Sequence, residues 1–176
     1  MEMQGEPSTL AEQDTKADDT VTRPALKIGG FLIVVAIGLV LSFIKNLESL
    51  GWALLPFREE VWVSLTIPGS SAYHPSWKTA LLFQIISASA ILVVTVIVMV
   101  LFFRKHRFFP TVIVIALPLI FLFMLVGYYL DGLVPAIAAS QDYSKEKRDL
   151  VLRFVALHVW IPYFVVSDRV KRTFGR

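Results

Sequence analysis

The stretch TALLFQIISASAILVVTVIVMVLFF, residues 79–103, contains no charged side chain over 25 positions. At about 1.5 Å of rise per residue, a helix of this length covers roughly 38 Å, more than the hydrocarbon core of a bilayer. Backbone amides in hydrocarbon must bond within their own segment, which a helix achieves and an open sheet does not. The stretch therefore predicts a membrane-spanning helix and places the chain in a lipid bilayer.

Three further apolar runs resemble the first. Hydrophobic residues make up 56% of the chain and charged residues 18%, whereas a soluble domain carries about 25% charged residues. The last run is the least apolar of the three, because it contains Arg153, His158 and Pro162. The predicted fold is an all-α membrane protein, a four-transmembrane-helix bundle, with helices at about 28–44, 79–103, 108–130 and 150–166.

A four-span topology places all the dense basic clusters on one side, although the longer loops on the other side also contain six scattered basic residues. A three-span topology would leave the basic tail on the opposite side, against the positive-inside rule. Four spans with both termini in the cytoplasm are therefore predicted. The bases on this side precede the first helix, fill the turn between the second and third, and follow the fourth: Arg23, Lys27, Arg104, Lys105, Arg107, Arg169, Lys171, Arg172 and Arg176.

The chain divides into a leader and a membrane domain. Residues 1–22 contain six acidic residues and one basic residue, Lys16, with too little apolar surface to offset the entropy of ordering. We therefore predict a disordered polar leader at 1–22. Residues 23–176 form the predicted four-helix membrane domain.

The two predicted outer loops differ in character. The first, 46–78, predicts an interfacial cap: apolar residues from Leu47 to Phe57 at helical spacing indicate a helix lying on the bilayer surface, and the alternation over 61–67 indicates a strand. A lid over a cavity, or a docking surface for a partner, is the alternative interpretation of this loop. In the second loop, 131–149, Asp149 is spaced to pair with Arg153 one helical turn later.

Catalytic signatures are absent from the sequence. There is no cysteine, no phosphate-binding loop, no nucleophile elbow and no paired histidines at helical spacing. The three histidines fall at different depths of the predicted topology, so they cannot form one metal site. We therefore expect no catalytic residue, no metal and no cofactor, and the net charge of +3 does not indicate nucleic-acid binding.

Polar residues inside the predicted spans are the remaining candidates for a functional site. Ionisable groups in hydrocarbon are costly, so each one requires an explanation. Arg153 lies about one turn inside the boundary and can extend its charge to the headgroups. His158 lies deeper, and is either a neutral hydrogen-bonded residue or a group that senses protons or contacts a ligand. With two polar residues of the second helix, the candidate intramembrane polar site is Arg153, His158, Gln84 and Ser87.

The tail of the chain carries the most specific pattern. Asp168 precedes Lys171 and Arg172 at helical spacing, which predicts that the fourth helix continues past the membrane with intrahelical ion pairs. The tail resembles the C-terminal signature of a bacterial inner-membrane family of unknown function, domain-of-unknown-function family 2569, over roughly residues 27–175. The residues that carry this resemblance are Trp160, Pro162, Tyr163, Ser167, Arg169, Lys171 and Arg172.

The resemblance implies a fold and a bacterial inner-membrane location but no mechanism. The favoured function is a non-enzymatic interaction or accessory subunit, whose partners are the lipid bilayer and a membrane protein or a second copy of the chain. The alternative is a small-solute or proton-linked transporter or sensor centred on His158 and Arg153.

Overall fold

A computed structural model describes residues 30–175, and the predicted leader at 1–22, with Arg23 and Lys27, lies outside the described residues. The four predicted spans are confirmed as helices long and apolar enough to cross a membrane. We number all helices in chain order: α1 Phe31–Leu54, α2 Glu59–Thr66, α3 Ser76–Phe103, α4 Phe109–Gly132, α5 Pro135–Ala138, α6 Gln141–Val166 and α7 Asp168–Phe174.

Two spans are longer than the hydropathy predicted. Helix α1 continues to Leu54 and is followed by a 3₁₀ turn at Leu55–Phe57, so the prediction of a separate surface helix from Leu47 to Phe57 was wrong. Helix α6 begins at Gln141 instead of residue 150, because Ser140 Oγ caps it by accepting the Tyr143 N–H at 3.2 Å. Both extensions contain polar residues, and low hydropathy does not show whether a helix ends there or continues.

The strand predicted over 61–67 was wrong, because this segment is helical. Two glutamates in the first turn of α2, Glu59 and Glu60, complement the positive end of the helix. The Thr66 hydroxyl donates to the Trp62 carbonyl at 2.7 Å, and the Phe57 ring stacks on Trp62. A lone strand would have left its backbone groups unpaired, whereas one short helix satisfies them locally.

The spans pack in sequence, α1 on α3, α3 on α4 and α4 on α6. We call the end of the bundle where α1 begins and α7 lies the terminal end, and the end that carries α2 and α5 the loop end. The main buried cluster lies at the terminal end: Leu32, Val35, Val98, Phe102, Phe109, Ile113, Ala116, Phe164, Val170 and Phe174. The bundle is therefore closed at its terminal end by side chains from α1, α3, α4, α6 and α7.

The prediction that the fourth helix continues into the tail was wrong, because the tail forms a separate helix, α7. Ser167 has extended backbone (φ −62°, ψ 116°), ends α6 and caps α7 by accepting the Val170 N–H at 3.5 Å. Among the described residues no ion pair joins Asp168 to Lys171 or Arg172, so the predicted pairs do not form. Helix α7 instead buries Val170 and Phe174 against the terminal end of the bundle.

Candidate functional site: an acid-lined cavity at the loop end

A cavity of about 180 Å³ lies among the four spanning helices at the loop end. Its volume leaves room for on the order of ten water molecules or one long side chain. Each span contributes polar groups to its wall, and we call it the acidic cavity. The polar side chains that line it are Ser49 of α1, Gln84 and Ser87 of α3, Tyr128 and Asp131 of α4, and Glu146 and Asp149 of α6.

Three carboxylic acids face this one space. Asp131 lies in the last turn of α4, and Glu146 and Asp149 lie one turn apart on α6. Among the described residues that line the cavity, none is lysine, arginine or histidine. Like charges in a shared cavity repel one another, and a positively charged group placed between them relieves that repulsion. The electrostatics of the cavity therefore favour a cation.

The deeper wall of the cavity is apolar. Ile91 and Met124 line it, and the Phe83 and Phe123 rings lie with their centroids 6.3 Å apart. No group of three or more histidine or carboxylate side chains within residues 30–175 is arranged to hold a metal ion. A space with acids at one end and hydrocarbon at the other matches an ammonium or guanidinium group on an apolar stem.

Hydrogen bonds and close packing fix the walls of the cavity. The Ser87 hydroxyl is buried and donates to the Gln84 carbonyl at 3.0 Å. Toward the terminal end, Asn46 Nδ2 donates to Thr95 Oγ1 at 2.8 Å, which joins α1 to α3. Interhelical hydrogen bonds of this kind hold membrane helices in register. The polar residues of α3 thus serve both the cavity, through Gln84 and Ser87, and helix packing, through Thr95.

The predicted polar site divides between separate places. Gln84 and Ser87 line the acidic cavity. Arg153 is exposed and lies in a narrow groove between α4 and α6, beside Leu117 and Trp160. His158 is exposed on α6, where its Nδ1 lies 2.9 Å from the carbonyl oxygen of Phe154 on its own helix. Two of the four predicted residues therefore lie together, and the other two lie elsewhere.

The ion pair predicted between Asp149 and Arg153 does not form. Ion pairing within residues 30–175 is recorded between Lys145 and Asp142, on the exposed part of α6 before the cavity. Asp149 instead faces the cavity with Glu146, and Arg153 faces its own groove. The correct spacing on a helix permits a pair but does not determine it, because each side chain also has tertiary neighbours.

His158 should tolerate replacement, since it contacts its own helix. His158→Leu and His158→Gln should each change the free energy of unfolding by less than about 1 kcal/mol, because the Phe154 carbonyl keeps its helical partner. Thermal unfolding of the purified protein measures this. Loss of more than 3 kcal/mol in both variants would show that His158 contacts something essential outside the described residues.

Three of the tail residues that carry the resemblance contact the start of α1. Trp160 stacks on Phe31 with ring centroids 5.4 Å apart, and Tyr163 meets the same ring edge-on at 4.8 Å. Arg169 Nη1 lies 2.9 Å from the position that a Cβ on Gly30 would take. The remaining tail residues are Pro162 inside α6, Ser167 at the cap of α7, and Lys171 and Arg172, both exposed in its last turn.

Comparison with known proteins identifies a family. The model of the family described as "Protein of unknown function (DUF2569)" matches residues 25–175, nearly the whole chain. Neither the curated proteins nor the solved structures contain a match to this chain. The match confirms the resemblance inferred from the tail.

Proposed function

The chain belongs to the DUF2569 family of unknown function, and on that premise we propose that it is a non-enzymatic accessory subunit of the bacterial inner membrane. In this proposal, the acidic cavity accepts a lysine side chain of a membrane-protein partner. The observation that carries it is the placement of three carboxylic acids, with no base beside them in the described lining, in one cavity.

The orientation of the chain is part of the proposal. Arg104 and Arg107 in the turn between α3 and α4 are exposed at the terminal end, as are the bases of α7. The positive-inside rule favours the cytoplasm for such an end. The acidic cavity would then face the periplasmic side, where it would meet the outer segments of other membrane proteins.

Transport or sensing is the second candidate. A cavity lined with carboxylic acids is also suited to protons or to a small amine. The packing favours binding over transport, because the terminal end is closed by Phe102, Phe109 and Phe174, each at most 1% exposed. A solute path would require this cluster to separate.

Carbodiimide crosslinking in intact membranes tests the proposed function. The reagent joins a carboxylate to a neighbouring amine as an amide, so a partner lysine inside the cavity would be linked to Asp131, Glu146 or Asp149. The wild type should yield an adduct whose crosslinked peptide contains one of these three acids. The triple variant Asp131→Asn, Glu146→Gln, Asp149→Asn should lose it.

Asp142→Asn is the matched control, because this acid lies on the same helix but pairs with Lys145 outside the cavity. The control should give the wild-type adduct. An adduct that persists in the triple variant, or that forms through Asp142, would refute the cavity as the binding site.

A further inference from the structure

A second space lies on the opposite half of the bundle, in a groove between α1, α4 and α6. Its volume is about 170 Å³, and its walls are almost entirely apolar. Helix α1 packs mainly on α3, so it meets α6 chiefly through Phe31 at the terminal end and leaves this side open. We call this space the α1 groove, and the residues that define it are Val34, Gly38, Ser42, Leu117, Trp160 and Phe164.

The α1 groove faces the lipid and is not filled by the described protein. Val34 is 49% exposed and Gly38 is exposed. No atom lies within 4 Å of the position that a Cβ on Gly38 would take. In a bilayer such a space contains hydrocarbon, either an acyl chain or an apolar side of another helix.

Positive charge lies where the groove reaches the terminal end. The Phe31–Trp160 stack borders the groove there, and the Arg169 guanidinium lies against Gly30, the residue before Phe31. Arg169 is exposed and has no ion-pair partner recorded within residues 30–175. The part of α1 that lines the groove carries no acidic residue, whereas a phospholipid would bring a phosphate to this guanidinium.

The depth of the groove agrees with a lipid. The groove follows α1 from Val34 to Ser42, a rise of about 12 Å at 1.5 Å per residue, and Gly30 lies about 6 Å further toward the terminal end. One leaflet of hydrocarbon is about 15 Å deep, half of the roughly 30 Å core. The groove and the Arg169 guanidinium beyond its end therefore together span about the depth of one leaflet.

We propose that the α1 groove binds one anionic phospholipid from the leaflet around the terminal end, with an acyl chain along Gly38 and the phosphate on Arg169. This inference is independent of the acidic cavity, since it concerns the other end of the bundle and a different ligand. The positive charge of Arg169 and the one-leaflet depth favour a phospholipid, and the experiment below distinguishes it from a second copy of the chain.

The experiment compares lipids retained on the purified protein. The probes are phosphatidylglycerol and phosphatidylcholine of identical acyl chains, added to detergent micelles and counted on the protein by native mass spectrometry. Gly38→Leu places a side chain in the groove, and Leu is a better helix former than Gly. Gly51→Leu is the matched control, because Gly51 also lies in α1 with no atom within 4 Å of its Cβ position but lies outside the groove.

We expect the wild type and Gly51→Leu to retain one phosphatidylglycerol, and Gly38→Leu to reduce that occupancy at least tenfold. Arg169→Gln should reduce the preference for phosphatidylglycerol over phosphatidylcholine at least fivefold without altering the fold, measured by circular dichroism. Unchanged lipid occupancy in Gly38→Leu would overturn the proposal. A change from dimer to monomer mass in that variant, with no change in lipid, would assign the groove to a second copy and also overturn it.

Discussion

Phe109→Ala should lower the free energy of unfolding by about 3–5 kcal/mol, the usual cost of removing a fully buried aromatic ring. Phe109 is fully buried, and its ring contacts Phe102 of α3, Phe164 of α6 and Phe174 of α7 at centroid distances of 5.1, 5.7 and 4.5 Å. Its removal would leave a cavity where four helices meet. Unfolding of the purified protein by dodecyl sulfate in mixed micelles measures the difference.

Phe108→Ala is the matched control, because the neighbouring ring is 51% exposed. It contacts His106 and the Arg107 guanidinium, outside the buried cluster. We expect it to cost less than about 1 kcal/mol. Equal losses in the two variants would show that the terminal end is not the packed core of the bundle.

Gly132→Ala should cost about 1–3 kcal/mol by overpacking, although alanine favours a helix. The Tyr143 hydroxyl occupies the space that a Cβ on Gly132 would take. The Tyr143 ring cannot move aside freely, because it stacks on Tyr128 with centroids 4.4 Å apart and planes within 7°. Thermal unfolding of the purified variants measures the effect.

Two further variants determine whether this contact is the cause. Adding Tyr143→Phe to Gly132→Ala removes the obstructing hydroxyl and should restore most of the lost stability. Gly127→Ala, on the same helix, meets Phe83 at an ordinary 3.7 Å and should be neutral or stabilising by up to about 1 kcal/mol. A double variant no more stable than Gly132→Ala would contradict the proposed clash.

The four spans could be predicted because an apolar segment in hydrocarbon must satisfy its own backbone hydrogen bonds, and a helix does so. The ends of the helices could not be predicted in the same way. Ser140 and Ser167 cap the starts of α6 and α7. Each cap depends on one side-chain hydrogen bond, which an average hydropathy over many residues does not reveal. The alternating pattern at 61–67 led to a wrong prediction of a strand. A strand needs a partner strand to pair with, and none exists among the described residues.

The candidate site was predicted only in part, because it depends on how the helices pack against one another. Gln84 and Ser87 could be found because polar residues stand out inside an apolar run. Asp131, Glu146 and Asp149 were missed as site residues, because acids at span boundaries are ordinary in a sequence. Their convergence depends on α6 beginning early and packing on α4, which no local pattern encodes. Three acids flanking spans that pack together are the signal that could have indicated a shared cavity.

The most direct measurement uses the absence of native cysteine in this chain. Ser49→Cys places one thiol in the acidic cavity, and Ala116→Cys places one in the buried terminal end, at a residue 4% exposed. Two methanethiosulfonates of similar size, one carrying trimethylammonium and one carrying sulfonate, are added outside intact cells. Modification rates are normalised to those of a free thiol.

If the acidic cavity is open to water on the outer side of the membrane, the Ser49→Cys thiol should be modified rapidly and the Ala116→Cys thiol should not be modified. The cationic reagent should react about tenfold faster than the anionic one, which corresponds to about 1.4 kcal/mol of favourable potential. Adding Asp131→Asn, Glu146→Gln and Asp149→Asn should remove that preference. Equal rates for the two reagents at Ser49→Cys, or modification only after the membrane is disrupted, would contradict an acid-lined cavity open to the outside.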